Sequence, residues 1–594
     1  MRRSMTNAEI AKLLSNVASA YAITDEKKYR FQILAYKKAA DTIEGISTEL
    51  KELQKENALE DIPGVGTSIK ASIEELLKNG KVKHLDDILG KIPSSVFPLL
   101  EVPSIGPKKA YRLVTEFNLN DPKSVIEDLM KIAKEGRIAV LDGFGQKSEE
   151  DIIRAFEEYK LGAGKTTKMV LPYANELAKK IIDYLKKSND VIDASTLGSL
   201  RRKKSMVGDI DIAISSKNPK AALDYFASYP HTERVMEKGI RTSSILTSGG
   251  RQVDLMVENP AGFGALLQHF TGSKDHNVHL REIALSKGYS LSDYGIKKKN
   301  EADSKIKLFK TEEELYKFLG LQWIPPEIRE NKGEIELAQK NRLPKLVELK
   351  DIIGDFHIHS SYPIEPSHDM GQDSMEDMIK HALKLNYKYF AFSEHNPSIS
   401  KHTHEQTYNI LFKRKKFIDQ LNLKYNKSIH IFSLMETDIL PNGSLALDDK
   451  SLSVLDGTIV SVHSSFDMDR IKMTNRILKG LSHPKAKILA HPTGRLLNQR
   501  AGYDLDWNKL FDFCSKNRKA LEINSWPARL DLPDNLVKDA IAKGVKLVID
   551  TDSHATTHMN LMEYGVSVAR RGWATDSDII NTWEYNKVNE FFKS

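Results

Sequence analysis

The stretch "LGSLRRKKSMVGDIDIAIS", Leu197–Ser215, combines a Gly-Ser pair, four consecutive basic residues and two aspartates on an apolar run. The alternation in "DIDIAIS" is typical of a β-strand, in which residues two apart share a face. Asp209 and Asp211 are therefore predicted to project together, while Ile210 and Ile212 enter the core. Two neighbouring carboxylates repel each other, so we expect cations beside them.

A third carboxylate is predicted next to this pair. Asp254 in "RQVDLMVE" has apolar neighbours on both sides, so it faces away from the core on what we expect to be an adjacent strand. An isolated Asp-x-Asp pair is usually a solvated strand end, but three clustered carboxylates suit two Mg²⁺ ions about 4 Å apart. After the turn at Gly198, Ser199 and Arg202 are placed to bind triphosphate oxygens. The stretch therefore predicts nucleotidyl transfer.

These motifs resemble the nucleotidyltransferase signature of family X DNA polymerases: "GS" before a basic pair, then "GDID" and "VDL". Downstream, "FTGSKDHNVHLREIALSKGYSLSDYGI" resembles the thumb of that family, and the likeness runs from about residue 5 to 325. It implies deoxynucleoside triphosphate substrates and Mg²⁺ or Mn²⁺ held by the catalytic residues Asp209, Asp211 and Asp254. It also implies nucleotide contacts from Gly198, Ser199, Arg202, Gly208, His269, Phe270, Gly272, Asn277 and Arg281.

Five thumb residues carry specific expectations from this resemblance. Phe270 and Gly272 would lie against the sugar of the incoming nucleotide, and Asn277 would contact the minor groove of the nascent base pair. Arg281 would face the template. His269 stands where animal members of the family have a tyrosine, so sugar selectivity rests on a different side chain here.

Residues from about 5 to 160 are predicted to be helical and repeat one turn plan. The three copies are "DIPGVGTSI" (Asp61–Ile69), "LEVPSIGPKKA" (Leu100–Ala110) and "VLDGFGQKS" (Val140–Ser148). Glycine permits a tight turn before a helix start, where outward N–H groups can bind phosphate. A lone Gly-x-Gly is usually only a packing turn, but three copies resemble helix-hairpin-helix elements. That resemblance implies DNA-backbone contacts at Gly64, Gly66, Ile105 and Gly106, although Ser104 replaces the first glycine of the second copy.

The first hairpin departs from animal family X polymerases in its lysines. Ser72 stands where they have a Schiff-base lysine, and Ser68 stands at another lysine position. Lys70 is nearby but faces elsewhere on a helix. Because the nucleophile must be a lysine of lowered pKa, we expect little or no deoxyribose-phosphate lyase activity.

Potential metal ligands follow the predicted strands of residues 351–594. They are His357 and His359 in "DFHIHSS", then His395, Glu436, His463, His491, Asp552 and His554. In a parallel α/β barrel or open sheet, the C-terminal strand ends meet at one edge. A single histidine there is usually structural, but this set predicts a multinuclear centre. Imidazole and carboxylate ligands suit Zn²⁺, Mn²⁺ or Fe²⁺, and the single cysteine, Cys514, excludes a thiolate cluster.

This half resembles the PHP (polymerase and histidinol phosphatase) phosphoesterase domain. The resemblance implies a distorted TIM-like barrel with a trinuclear metal site. It also implies phosphodiester hydrolysis as a 3′–5′ exonuclease, an abasic-site endonuclease or a 3′-phosphatase. The family's "SDG" acid is replaced by "SSYPIEPSHDMGQDS". We predict Asp369 as the remaining ligand, with Glu365 and His368 as alternatives.

The length of 594 residues indicates several domains. We predict an all-α helix-hairpin-helix region, an α+β palm and thumb, and an α/β PHP domain. The segments are a helical DNA-binding domain at 1–85, a fingers-like helix-hairpin-helix domain at 86–160, a palm at 161–258, a thumb at 259–325, a linker at 326–350 and the PHP domain at 351–594. The linker is inferred from three prolines amid charged residues.

We expect a gap-filling polymerase of base excision repair with a metal-dependent phosphodiesterase. The alternatives are a nucleotidyltransferase fused to a phosphatase of small phosphate monoesters, and a DNA-binding scaffold. The hairpins argue against the first, and the intact acid and histidine sets against the second. Expected partners are gapped or nicked DNA, 3′ ends and abasic sites, with no membrane. We expect a cytoplasmic protein, since one cysteine fits a reducing compartment and the chain has no apolar run of about 18 residues. We also expect a monomer.

Overall fold

The computed structural model divides the chain into two compact units. The first comprises residues 1–169, 173–196 and 208–260, and the second comprises residues 170–172, 197–207 and 261–594. The structure describes residues 5–156 except 6, 46–49, 56–58, 63, 103–104, 147, 151 and 154–155, then 168–299 except 249, and 305–593. Within these ranges no helix is long and apolar enough to cross a membrane.

The N-terminal part of the first unit is helical, which confirms the sequence-based prediction. Its helices span Asn7–Asp25, Arg30–Gly45, Leu50–Lys55, Thr67–Asn79, Lys83–Leu89, Val96–Leu99, Pro107–Glu116 and Val125–Lys134. One hydrophobic cluster runs through these helices, from Ile10 past Leu76 and Leu113 to Phe156. The boundary predicted after residue 85 therefore does not divide two separate cores.

A mixed five-stranded sheet forms the rest of the first unit, in the order β2-β4-β7-β6-β5. The strands of this region are β1 (Met169–Val170), β2 (Asp193–Thr196), β3 (Met206–Val207), β4 (Ile210–Ser215), β5 (Thr232–Lys238), β6 (Thr242–Thr247) and β7 (Gln252–Glu258). The helices of this region span Leu171–Leu185, Gly198–Arg201 and Pro219–Ala227, of which Gly198–Arg201 belongs, like β3, to the second unit. β4 and β7 are parallel, whereas β2 pairs with β4 and β6 pairs with β7 in antiparallel fashion.

The thumb region of the second unit is built from short helices around a β-hairpin. The helices span Phe263–Thr271, Lys274–Ser286, Glu312–Phe318 and Glu334–Gln339, and the hairpin consists of β8 (Tyr289–Ser292) and β9 (Gly295–Lys298). Its hydrophobic cluster includes Leu280 and Leu315 and continues through Ile328 and Ile335 to Leu346.

Residues 326–350 are folded into this core, in contrast to the predicted linker. Pro326–Ile328 form a 3₁₀ turn, and the side chains of Arg329 and Glu334 are fully buried. The Nδ1 atom of His276 lies 2.7 Å from Glu334 Oε1, which ties the segment to the thumb. The prolines mark a turn between packed elements here. Apolar side chains on both sides of this turn pack into the same core.

The C-terminal half has parallel strands joined by helices. The strands are β10 (Tyr389–Phe392), β11 (His430–Ser433), β12 (Glu436–Asp438), β13 (Thr458–Ser461), β14 (Ala486–Leu489), β15 (Ala520–Asn524) and β16 (Lys546–Asp550). The helices span Met375–Lys384, His404–Tyr425, Asp449–Ser453, Arg470–Leu481, Trp507–Asn517, Asp534–Ala542, Met562–Arg571 and Tyr585–Lys593. β10 pairs with β11, and β12 to β16 pair in chain order, all in parallel.

The segment 355–359 closes these strands into a barrel-like ring. The Ser393 N–H after β10 donates to Ile358 O at 2.8 Å, and the Ser553 N–H after β16 donates to His357 O at 3.2 Å. A parallel bridge between His395 and Glu436 links the β10 end to β12. Of the barrel and the open sheet, the structure therefore has the barrel. All C-terminal strand ends face one mouth, which positions the ligands described next.

Candidate active sites

The carboxylate of Glu436, at the start of β12, is the centre of a cluster of imidazole rings. Five histidines from other chain segments surround it: His357, His359, His395, His463 and His491. Glu436 Oε2 lies 3.0 Å from His395 Nδ1 and 3.1 Å from His357 Nε2, while Oε1 lies 3.0 Å from His491 Nε2. The carboxylate is only 1% exposed, so its charge requires cationic partners.

The acids beside this cluster come from the segment after β16 and from the loop before Met375–Lys384. Asp552 Oδ1 lies 3.3 Å from His359 Nε2. The two carboxylate oxygens of Asp369 each lie 3.2 Å from an imidazole Nε2, one on His395 and one on His554. The structure thus places Asp369, the predicted ligand, between two of the histidines.

The two alternatives to Asp369 have different positions. His368 Nε2 lies 3.1 Å from Asp438 Oδ1, and its ring is 4.3 Å from that of His463 between centroids. Glu365 is 67% exposed, and its carboxylate lies 3.8 Å from Lys401 and His402. His368 therefore joins the cluster together with Asp369, whereas Glu365 faces away from it.

Donor and acceptor atoms of this cluster fit bound metal ions. Four triads have ligand atoms within 4.8 Å of one another: His359–His395–His554, His368–His395–His463, His357–His359–Asp552 and Glu436–His463–His491. Several buried ring nitrogens make no hydrogen bond of acceptable geometry to a described residue, although carboxylate oxygens lie within 3.5 Å of some of them; they include His357 Nε2, both ring nitrogens of His359 and His554 Nε2. An unsatisfied buried polar atom costs about 1–3 kcal/mol, so a metal ion that accepts these lone pairs would stabilise the cluster. Imidazole and carboxylate suit Zn²⁺, Mn²⁺ or Fe²⁺.

The charges within the cluster favour a bound cation. Burial, together with the charge of His554, lowers the pKa of His359 to about 3. Burial raises the pKa of the Glu436 carboxyl, but the charges of His395 and His357 outweigh it and hold that pKa well below its ordinary value. Burial alone would lower the pKa of His395, yet Glu436 and Asp369 raise it to about 10. The carboxylates thus stay ionised and hold a protonated imidazole beside them. Bound metal ions would replace that positive charge.

Three polar residues that the sequence did not single out orient the ligands. Glu522 in β15 lies 2.6 Å from His357 Nδ1, and Asp438 lies 2.7 Å from His463 Nδ1. Asn524 Nδ2 donates to Asp552 Oδ2 at 3.1 Å. Such partners fix ring orientation, so that the Nε2 atoms face the cluster. A polar residue inside an apolar strand, as in "ALEIN", is the signal that would have found Glu522.

Arg529, in the loop after β15, is a further cation at the mouth. Its Nε lies 3.5 Å from Asp552 Oδ2, and its side chain is 17% exposed. The guanidinium groups of Arg495 and Arg500 donate to backbone carbonyls of Arg529 and Gly494. Among the described residues, no hydrogen bond involves the Nη atoms of Arg529. These atoms are therefore available to bind an anion beside the cluster.

Asp211 and Asp254 of the first unit share a face of its sheet. Asp211 in β4 is directly opposite Asp254 in β7, with Ile212 and Leu255 buried behind them. The Ser244 hydroxyl donates to Asp254, and Gln252 Nε2 donates to the same carboxylate at 3.0 Å.

The charges of these aspartates oppose one another. Burial, with the nearby charges of Asp254 and Asp209, raises the pKa of Asp211 to about 6. Asp209 is exposed at the start of β4. None of the four triads in the described residues contains these three aspartates. The repulsion indicates that cations would stabilise the group.

Among the expected nucleotide contacts, Arg202 is the most constrained. It is buried at the end of the Gly198–Arg201 turn, which also contains Ser199. Its Nε lies 3.2 Å from Glu330 Oε1, and its Nη1 donates to Thr271 O. The guanidinium is therefore held within the second unit before any nucleotide binds.

The remaining predicted contacts lie in the thumb helices. The rings of His269 and Phe270 are half-buried with centroids 4.9 Å apart, and Gly272 adopts φ +68°. Asn277 is buried, donates to His269 O at 2.6 Å and accepts from Gln268 Nε2 at 2.8 Å. This internal bonding differs from the predicted contact with a base pair. Gly208 and Arg281 have exposed surface.

The three hairpin turns have one backbone bond in common. The N–H of Val65 donates to Ile62 O at 2.9 Å, that of Ile105 to Val102 O at 3.3 Å and that of Phe144 to Leu141 O at 2.9 Å. Gly64 and Gly143 have positive φ, and Ser104 lies outside the described residues. Gly66 and Gly106 precede helices without a side-chain cap, so first-turn N–H groups remain for phosphate. The Ile105 N–H is used within its turn.

The lyase position offers no lysine. Ser72 is buried and its hydroxyl donates to Ser68 O at 3.1 Å. Lys70 forms an ion pair with Glu60 at 3.1 Å.

Family models match four parts of the chain. They describe a helix-hairpin-helix domain at residues 5–82, a SAM-like helix-hairpin-helix tandem at 96–158, a DNA polymerase beta thumb at 266–330 and a PHP domain at 355–526.

Curated relatives cover both halves. The chain is 33% identical to the DNA polymerase/3′-5′ exonuclease PolX of Bacillus subtilis (strain 168) over 592 residues, which is 99% of this chain and 100% of the relative. It is 23% identical to DNA polymerase lambda of Arabidopsis thaliana over 54% of this chain and 62% of the relative. It is 22% identical to a probable phosphatase of Thermoanaerobacter sp. (strain X514) over 41% of this chain and 95% of the relative.

Proposed function

The chain belongs to the prokaryotic family X DNA polymerases that carry a PHP domain, and we propose that it fills short gaps in DNA during base excision repair. It combines DNA synthesis with a 3′–5′ exonuclease in the C-terminal half. The observation that carries the nuclease assignment is the cluster of buried imidazole and carboxylate atoms around Glu436, which lie at ligand spacing and of which several make no hydrogen bond of acceptable geometry to the described residues. A cytoplasmic location fits this role.

Both centres depend on divalent metal ions. Asp209, Asp211 and Asp254 would hold Mg²⁺ or Mn²⁺ in the polymerase, since Asp211 and Asp254 are directly opposite on adjacent strands. The PHP centre would hold Zn²⁺, Mn²⁺ or Fe²⁺, with three ions as the family resemblance implies. Its ligands would be His357, His359, Asp369, His395, Glu436, His463, His491, Asp552 and His554, with His368 added by its position. When bound, such ions supply Lewis-acid activation and neutralise developing charge at phosphorus.

The residues of the chain position the reactants. Arg202 and Ser199 would bind the triphosphate of the incoming nucleotide, and Phe270 and Gly272 would lie against its sugar. In the PHP centre, Glu522 and Asp438 hold the His357 and His463 rings in place through their Nδ1 atoms. Arg529 would bind the phosphate that is cleaved, a role supported by its position beside Asp552.

DNA would be bound through its backbone at the hairpin turns. The uncapped helix starts after Gly66 and Gly106 offer N–H groups without base specificity. Binding should therefore be independent of sequence, favour gapped over intact duplexes and weaken steeply with salt. Lyase activity by Schiff base should be absent or weak, because Ser72 is buried and Lys70 is paired with Glu60. We propose that the enzyme acts as a monomer.

The test uses the purified full chain on a gapped duplex and on a duplex with an abasic site, with Mg²⁺ or Mn²⁺. D254A should lose gap filling and keep 3′ degradation, whereas H359A should do the reverse. Incision at the abasic site would assign endonuclease activity to the same PHP centre if H359A removes it. Gap filling by D254A within about tenfold of the wild-type rate would refute the assignment of the aspartates.

A further inference from the structure

Arg571, the last residue of the helix Met562–Arg571, connects the PHP half to the segment that carries Arg202. Its Nη1 donates to the main-chain carbonyl of Arg202 at 2.7 Å and lies 3.1 Å from Glu330 Oε1. Its Nη2 lies 2.6 Å from Asp534 Oδ2. The Arg571 side chain is 5% exposed, so these bonds are shielded from water. They link the Arg202 backbone to Glu330, which is also a partner of the Arg202 side chain.

Glu330 is shared by several cations in this network. Its Oε1 accepts from Arg202 Nε at 3.2 Å and from Arg571 Nη1 at 3.1 Å, and its Oε2 lies 3.5 Å from Lys204 Nζ. The carboxylate is 15% exposed, which strengthens each pairing relative to open solvent. Arg202 and Arg571 thus share one oxygen of one carboxylate.

We infer that Arg571 is a positioning residue for nucleotide binding by the polymerase. This inference rests on the proposed function, in which Arg202 binds the triphosphate. To do so, the Arg202 guanidinium must exchange Glu330 for phosphate oxygens. Arg571 lowers the cost of that exchange because it keeps Glu330 paired when Arg202 leaves. It also holds the Arg202 backbone in place through the carbonyl bond.

The neighbouring residue provides a matched control. Arg570 Nε lies 2.8 Å from Glu327 Oε1, and its Nη1 donates to Val347 O at 3.0 Å. It therefore anchors the same helix to the same segment through bonds that do not involve Arg202 or Glu330. A purely structural role for Arg571 predicts equal effects of substituting either arginine, whereas positioning of Arg202 predicts an effect specific to Arg571.

The experiment measures kcat and KM for the incoming deoxynucleoside triphosphate during single-nucleotide gap filling by the full chain. R571Q should raise KM by about tenfold with kcat changed less than about threefold, since the competition acts on binding. R570Q should leave KM within about twofold. In an E330Q background, R571Q should raise KM by a clearly smaller factor than in the wild type, because the competing carboxylate is gone and only the bond to the Arg202 carbonyl is lost. R571K keeps the charge but cannot reach both Glu330 and Asp534 with separate nitrogens, so its KM should rise by less than that of R571Q.

Each outcome decides between the alternatives. An unchanged KM in R571Q, a rise equal to that of R570Q, or effects of R571Q and E330Q that simply multiply would overturn the inference. If R571Q does not fold, as judged by loss of 3′ degradation, R571K decides: its KM must exceed that of the wild type and of R570K. A wild-type chain that fills no gap would instead overturn the proposed function.

Discussion

Glu436 concentrates the chemistry of the C-terminal centre in one buried carboxylate. Each of its two oxygens faces imidazole nitrogens, and it contributes to the Glu436–His463–His491 triad. A glutamate in such surroundings is stable only with cations nearby, whether protonated histidines or metal ions. The role of this residue follows from its burial as much as from its chemical type.

Replacement of Glu436 by glutamine should abolish nuclease activity and spare synthesis. The neutral amide supplies one acceptor and two donors that clash with the ring nitrogens, so metal affinity should fall. We expect exonuclease activity to drop by more than about 100-fold, beyond the loss typical for residues that only orient ligands. Bound metal is measured by elemental mass spectrometry. Glu365→Gln is the control, because Glu365 is exposed beside Lys401 and should leave both readings unchanged.

Arg529 should contribute to the chemical step without holding metal. R529Q removes a guanidinium whose Nε is 3.5 Å from Asp552 Oδ2, so exonuclease activity should fall by about 10–1,000-fold at unchanged metal content. R529K should recover only part of it, since a lysine binds phosphate as a point charge. Activity loss that merely follows metal loss would contradict a role in phosphate binding.

At the scale of elements, the hairpin turns assign different tasks to their two glycines. Gly64 has φ +90°, and a Cβ there would lie 2.9 Å from the backbone nitrogen of Ala39. Gly66 has an ordinary φ of −79°, and a Cβ added there would meet no atom of the described residues within 4 Å. Folding therefore requires glycine at position 64, whereas position 66 leaves room for an approaching phosphate.

Alanine substitutions should separate these tasks. G64A should destabilise the helical region by about 1–3 kcal/mol through backbone strain and the close contact with Ala39. G66A should change stability by less than about 1 kcal/mol yet weaken binding to gapped DNA, because its methyl group lies where the backbone meets phosphate. Urea denaturation and a DNA titration measure the two effects. A G66A variant with unaltered DNA affinity would exclude this turn from the interface.

The helix that begins at Glu312 is attached to its surroundings by a buried ion-pair network. Glu312 lies 2.7 Å from Arg201 Nη2 and 2.6 Å from Arg329 Nη1, and it is 3% exposed. Burial raises the pKa of this carboxyl, but the charges of Arg329 and Arg201 outweigh burial and lower it to about 2. The folded-state pKa is below the ordinary value of 4.5, so this stabilisation is complete above pH 4.5.

E312Q should therefore destabilise the second unit at neutral pH by roughly 3–5 kcal/mol, since it leaves the buried guanidinium of Arg329 and the partly exposed one of Arg201 without their counter-charge. The difference from wild type should shrink as the pH falls from 4.5 towards 2, because the wild-type carboxyl is then protonated as well. Thermal unfolding at neutral pH and again within that acidic range measures this. Glu313→Gln, one position along and exposed, should have no comparable effect. A difference that stays constant with pH would argue against the ion-pair explanation.

At the scale of the whole molecule, the thumb and the PHP barrel share one unit. The segment 326–350 supplies Arg329 to the thumb network, and its Glu334 is the partner of the buried His276. On the other side, Arg570 and Arg571 attach this segment to the helix Met562–Arg571 of the barrel half. The thumb and the PHP centre therefore have a continuous supporting structure within the second unit.

Point variants and truncation should consequently give different results. H359A and D552A should lose 3′ degradation and keep gap filling, since these residues lie in the barrel mouth. A chain ended after Glu330 lacks Glu334 and Arg571, so its thumb should be less stable and its gap filling weaker than in the point variants. Primer extension and thermal unfolding of the three proteins test this. If the truncated chain filled gaps with wild-type KM, neither segment would support the polymerase.

Much of both centres could be predicted from the sequence because it depends on local geometry. The two-residue period of a strand places Asp211 and Asp254 opposite buried isoleucine and leucine, and parallel strands bring residues that follow them to one mouth. Glycine at a turn that requires positive φ marked the hairpins. These rules act over a few neighbouring residues, so they can be read without knowledge of packing.

Only the tertiary structure decided the partners of these residues. His357 and Glu522 are 165 positions apart, and Arg202 and Arg571 are 369 positions apart, yet each pair is in hydrogen-bond contact. The packing of residues 326–350 into the thumb core was likewise decided only by the tertiary structure. So was the position of His368 in the histidine cluster. Such contacts depend on how separate elements pack against one another. No local periodicity encodes that arrangement, because it is set by the burial of apolar surface and the pairing of charge over the whole unit.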